Sequence, residues 1–301
     1  MSEHTKIEWV DHSWSPWRGC TKVSPGCANC YAETLSKRNP AVLGQWGKGK
    51  PRVLAKNWGD PVRWQKRTAM DMPRPRVFPS LCDWLDDEVP IEWLARFLKL
   101  IHDTPHLDWL LLTKRPENWE ERSLKACQLL AGMTAAEAPT VHWLIAWRRG
   151  FQAPSNVWFG VSVEDQTRAN ERIPLLLQIP AKVRWLSLEP LLGPVHLASS
   201  VRYPSGLIEE GLHWLVIGGE SGHGASPCNV DWIRSLKDQG KAAGLPVFVK
   251  QLGARPVEDI QDARGGYVGF QRLGGISHPK GGDPLEWPED LRVREFPEGE
   301  R

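Results

Sequence analysis

No stretch of this 301-residue chain is apolar for long enough to suggest a membrane span. The longest apolar runs, DWLLLT and HWLIAW, fall far short of the ~20 residues a spanning helix needs. The opening MSEHTKIEWV lacks the hydrophobic centre of a secretion signal, so the expectation is a cytoplasmic protein with no membrane partner. Two nucleotide-binding signatures are also missing. IGGESG lacks the third glycine of the dinucleotide fingerprint, and no Gly-Lys-Ser/Thr of a phosphate loop occurs. No H-x-H or D-x-D pair stands at an expected strand end, which disfavours a metal-dependent hydrolase or nuclease. No internal repeat is visible.

The composition is that of a folded chain, with 41% hydrophobic and 25% charged residues. A net charge of +2 conceals an asymmetry: residues 18–76 carry 13 Lys or Arg against Glu33, Asp60 and Asp71. That segment is +10 and the remainder −8. Basic residues interleaved with Trp46, Trp58 and Trp64 suit phosphate contacts and base stacking, so nucleic acid is an expected partner through a basic insertion at 37–76. A solvated face packed against acidic neighbours is the plainer explanation. Six cysteines without a secretion signal point to reduced thiols, which when clustered more often bind metal or do redox chemistry.

Beyond residue 75, apolar runs bounded by turns predict strands at 76–80, 108–116, 156–164, 183–190, 213–221 and 246–253, with a first strand around SWSPWRG. Helical patterns lie between them in PIEWLARFLKLIHDT, NWEERSLKACQLLAG, QTRANERIPLLLQIP and NVDWIRSLKDQGKAAG, with Asn229 as an N-cap. The alternation implies right-handed crossovers and a parallel sheet. The expected fold class is α/β, a partial or complete parallel (β/α) barrel resembling a TIM barrel, with a doubly wound sheet as the alternative. Residues 1–262 form the barrel domain, with a cysteine loop at 18–33, and 263–301 form an extended C-terminal arm or lid.

In a parallel barrel the strand C-termini share one face, and that face carries the chemistry. Ser162, Asp165 and Ser221 there could serve as helix caps. Lys114, Glu164, Glu189, Glu220 and Lys250 could not, and a charge in a barrel mouth must be paired, ligand-bound or shifted in pKa. Glu164, Glu189, Lys114 and Lys250 are the candidates for catalysis, although Lys250 could simply pair with Glu220 or Glu189. Gly218 and Gly219 offer backbone N–H groups close to a ligand, with Glu220 beside them as acceptor.

Cys20, Cys27 and Cys30 stand in a C-x6-C-x2-C pattern, with Gly19, Pro25 and Gly26 supplying turns. A structural zinc site closes with four ligands, whereas three thiolates at a barrel mouth suit a [4Fe–4S] cluster with one iron left open. Arg18 and Lys22 are expected to favour thiolate. Zinc is the rival metal, since Cys82, Cys228 or His12 could complete a tetrahedron; Cys127, in a helical pattern, reads as core.

The segments W-x-P-W-x-G-C-x6-C-x2-C-Y-A-E, LLTKRP, NVWFGVSVE, RWLSLEPLLGP, VIGGESG and VFVKQLG closely resemble the three-Cys-motif proteins of unknown function of phages and bacteria, from about Ile7 to the tail. That family in turn is distantly similar to radical S-adenosylmethionine enzymes. The resemblance implies a radical-S-adenosylmethionine-like partial barrel and a cluster held by Cys20, Cys27 and Cys30. It further implies S-adenosylmethionine at the open iron, contacts to it from Gly218, Gly219, Glu220 and Tyr31, and an electron donor. Tyr31 would lie near the adenine or simply against the rim. The expected function is an iron–sulfur enzyme acting on nucleic acid or a nucleotide, with a neighbouring partner protein as a further possibility. The alternative is a zinc-stabilised nucleic-acid-binding protein without redox chemistry.

Overall fold

The computed structural model describes residues 5–68, 73–197, 211–262, 264 and 266–297. Residues 69–72 of the basic stretch, Asp71 among them, and the last four residues of the arm lie outside that set. Seven parallel strands form one sheet that curls into a half-barrel: β1 (His12–Ser13), β2 (Arg76–Phe78), β3 (Asp108–Thr113), β4 (Val157–Ser162), β5 (Val183–Leu188), β6 (Trp214–Gly218) and β7 (Val247–Gln251). Their order in the sheet is their order in the chain, without the reversal that marks a doubly wound sheet. Eight α-helices accompany them among the described residues: α1 (Tyr31–Ser36), α2 (Pro40–Leu43), α3 (Gly59–Arg67), α4 (Ile91–Asp103), α5 (Trp119–Ala131), α6 (Ala138–Arg148), α7 (Gln166–Leu177) and α8 (Val230–Ala242). None of the described helices is long and apolar enough to cross a membrane.

The four helical patterns read in the sequence are α4, α5, α7 and α8, and the side chain of Asn229 does accept from the Asp231 N–H at the start of α8. The first strand needs correction. His12–Ser13 joins the main sheet, whereas Trp17–Arg18 pairs antiparallel with Val53–Leu54 in a separate ribbon. The chain leaves the sheet early because Trp14 and Trp17 turn into the apolar layer beneath α4, where both rings meet Phe97.

Side-chain alternation along the strands divides the interior in two. Trp109, Leu111, Phe159, Leu186, Leu215 and Ile217 pack outward under the helices. The opposite parity, Leu110, Trp158, Trp185, Trp214 and Phe248, fills the concave face together with Trp9. Gly160 sits on that concave face because a Cβ there would lie 2.3 Å from the Trp185 ring.

Both chain ends serve this aromatic plug. Phe296 stacks on Trp214 at 5.4 Å, Val249 N–H donates to Val293 O, Glu295 N–H donates to Val247 O, and Arg294 pairs with Glu8 at 2.9 Å. The stretch 293–296 therefore covers the exposed edge of β7, blunting an edge that would otherwise offer unpaired backbone groups. It lies at the N-terminal end of the strands, opposite the mouth, so this part of the arm is no lid. Farther back, Pro256–Gln261 and Tyr267–Arg272 form a hairpin across the boundary drawn at 262, and Cys228–Asn229 pairs alongside it.

Candidate functional site

Continuing the same alternation past the strand ends brings Ser162, Ser187 and Gly218, then Glu164, Glu189 and Glu220, onto the parity of the tryptophan plug. The concave face thus runs from aromatic at one end to polar at the other. The cysteine loop lies over the polar end, held by side chains from three strand ends and by a backbone carbonyl from a fourth. Glu164 Oε1 accepts from Gly26 N–H at 3.4 Å, and Glu220 Oε2 accepts from Asn29 Nδ2 at 3.0 Å and Ser226 N–H at 2.7 Å. Arg115 donates to Thr21 O at 2.6 Å, and the Tyr31 hydroxyl donates to Ser80 O at 2.7 Å.

Each predicted residue has a definite place. Glu164 is fully buried, and its second oxygen takes Arg172 at 2.8 Å. It secures the loop rather than facing open solvent. Glu189 receives Lys250 on both oxygens at 2.7 Å, so Glu189 and not Glu220 is the lysine's partner. Lys114 donates to Ser162 Oγ at 3.0 Å. Gly219 is unsuited to the ligand approach expected of it: its N–H donates to Gln251 O, and Leu252 O occupies the position 2.3 Å from where a Cβ would stand. Gly218 has more room, its nearest such contact being 3.4 Å.

Cys20, Cys27 and Cys30 are all free thiols, partly exposed, on this loop. Among the described residues, no three His, Cys, Asp or Glu side chains come together as a group that could hold a metal ion. Cys20 is turned aside: its thiol donates to Thr21 O at 3.5 Å and accepts from Arg115 at 3.6 Å. The basic neighbours expected to favour thiolate are committed elsewhere, Arg18 to Val42 O and Lys22 to Ala28 O and Glu33. Burial and the nearby Asp83 carboxylate instead push the Cys20 thiol up to about 12. The donor set, three reduced and accessible thiols on one loop, matches what an iron–sulfur cluster takes. Its sulfurs must turn toward one another to supply it.

Sequence reasoning missed what braces this loop. Asp83 and Asp86 are buried and receive Arg115 and Arg52, both at 2.9 Å, and Thr113 donates to Asp83 at 2.7 Å. The signal was the acid-rich CDWLDDE just after β2, opposite the basic stretch. It also accounts for part of the charge asymmetry, since Arg52 neutralises Asp86 rather than presenting itself to a partner. Trp58 and Trp64 are buried as well, one beneath Arg96 at 4.1 Å and the other stacked on His12 at 4.2 Å. They cannot stack on bases, and His12 is occupied away from the loop. Cys228 is buried, its thiol pushed up to about 12 by desolvation, and Cys127 packs in the core as expected.

Fold and site together define a parallel α/β half-barrel whose polar mouth is spanned by a cysteine-bearing loop. The chain belongs to the DUF5131 family, described as protein of unknown function, which matches residues 4–278. No curated protein and no solved structure matches it.

Proposed function

We propose that the protein is an iron–sulfur enzyme of the radical-S-adenosylmethionine-like kind, with Cys20, Cys27 and Cys30 as cluster ligands and a nucleotide or nucleic acid as substrate. One observation carries this reading: a loop bearing three free thiols is fastened by Ser80, Arg115, Glu164 and Glu220 over the C-terminal ends of parallel strands, where such folds place their chemistry. When bound, the cluster would supply an open iron for S-adenosylmethionine and the electron for its reductive cleavage, drawn from a separate donor.

The remaining roles belong to the chain itself. Asn29 and Gly26 hold the loop against Glu220 and Glu164, which fixes the thiols relative to the mouth. The Glu189–Lys250 pair offers one charge of each sign to a polar ligand entering from above. The tryptophan plug fills the far end of the concave face, which leaves the polar end for the ligand. Exposed Lys37, Arg38, Lys48 and Lys50 border the same loop and would draw in phosphates.

Purification without oxygen, followed by iron, sulfide and zinc analysis, tests the reading. Iron and sulfide lost on replacing the three cysteines, together with 5′-deoxyadenosine formed from S-adenosylmethionine under reduction, are the expected results. A zinc-bearing, colourless protein would instead support the zinc-stabilised nucleic-acid-binding reading. One contact favours that alternative: Gly19 N–H donates to Leu81 O at 3.4 Å, which brings the chain at Cys82, a fourth free thiol, alongside the chain at Cys20.

A further inference from the structure

Beside the cysteine loop, between the end of β3 and one side of α7, lies a cleft of about 280 Å3 whose electrostatics are divided by depth. Its wall carries Lys114, Arg168 and Arg172, half-buried or buried, while its acids, Glu117 and Glu171, are exposed at the rim. Val23, between Cys20 and Cys27, contributes the side nearest the loop.

The cations differ in how far they are already satisfied. Lys114 has a hydroxyl partner, Ser162, and no carboxylate within ion-pair distance among the described residues. Arg172 uses one terminal nitrogen for both Glu164 and Ser162 O, and its other terminal nitrogen takes no protein acceptor among the described residues. Arg168 pairs with Glu171 at 3.0 Å, but that carboxylate is 52% exposed, so the pair is weak and readily exchanged. A half-buried ammonium without a counterion is unfavourable, and a ligand oxyanion would relieve it.

We propose that this cleft is a phosphate-binding site, taking inorganic phosphate or the phosphomonoester of a nucleotide. Phosphate suits it better than carboxylate because three separate cationic groups line the wall and a phosphomonoester presents three terminal acceptor oxygens rather than two. The volume lies at the small end of ligand pockets, so the phosphate with part of its carrier fills it. Occupancy also reaches the loop through named bonds: Arg172 holds Glu164, and Glu164 accepts from Gly26 N–H between Pro25 and Cys27. The site needs no metal, so its failure is separable from failure of the iron–sulfur reading.

Calorimetric titration of the full-length, metal-free protein with inorganic phosphate, a nucleoside 5′-monophosphate and a dicarboxylate tests the proposal. Saturable phosphate or nucleotide binding is expected, with Lys114→Gln and Arg168→Gln each weakening it about tenfold, as loss of one charge-assisted hydrogen bond implies. Glu171→Gln, which frees Arg168, should tighten it. Phosphate should also slow hydrogen exchange over residues 23–27, a readout independent of heat. Stronger binding of the nucleotide than of phosphate identifies a base-bearing ligand, and equal binding identifies phosphate alone. Absence of saturable binding, equal binding of the dicarboxylate, or unchanged affinity in a folded Lys114→Gln protein overturns the assignment.

Discussion

The two ends of the concave face obey the same alternation and spend it differently. At the N-terminal end, Trp9, Trp158, Trp185 and Trp214 are all buried and meet at ring distances of 5.3–6.0 Å. At the C-terminal end the same parity carries serine, glutamate and lysine, closed only by a loop resting on hydrogen bonds. Stability is concentrated where aromatic surface is excluded from water. The mouth keeps charges that a fold built for stability alone would replace with well-packed apolar groups.

Substitutions should separate the two ends by size of effect. Trp214→Ala removes the ring on which Phe248 and Phe296 converge, and chemical denaturation should show a loss of about 3–5 kcal/mol. Glu164→Ala comes next: it strands the buried Arg172 guanidinium, for an expected loss of about 3 kcal/mol. A loss as small as that of a surface pair would mean that water reaches Arg172. Asn29→Ala, which frees Glu220 from the loop, should cost about 1 kcal/mol while speeding proteolysis within residues 21–30. Lys250→Ala should cost at most about 1 kcal/mol, because its pair with Glu189 is partly solvated. If it destabilised as much as Trp214→Ala, the division between plug and mouth would not hold.

Much of this organisation was legible in the sequence. Strands buried on both faces read as continuous apolar runs, so their number and parallel order followed from WLLLT, VWFGVS, VRWLSL, WLVIG and VFVK. The mouth charges followed from parity and position. What stayed hidden depends on partners distant in sequence. Nothing local tells that Trp58 and Trp64 lie under Arg96 and against His12, or that Arg52 is consumed by Asp86. Likewise Gly219 reads as a ligand cradle until Leu252 is seen to fill its space. Helix α6 leaves little trace in the sequence because HWLIAW shows little one-sided periodicity. The hold on the cysteine loop joins residues as far apart as Asn29 and Glu220, which no local spacing reveals.

The central claim, that the loop over the mouth is a metal site built from Cys20, Cys27 and Cys30, is tested most directly by iron and sulfide content after anaerobic reconstitution. The account predicts about four irons and four sulfides per chain in the native protein, as a single cubane cluster holds, and near none in the folded triple Cys→Ala variant. Equal iron in the two proteins, or none in either, would contradict it.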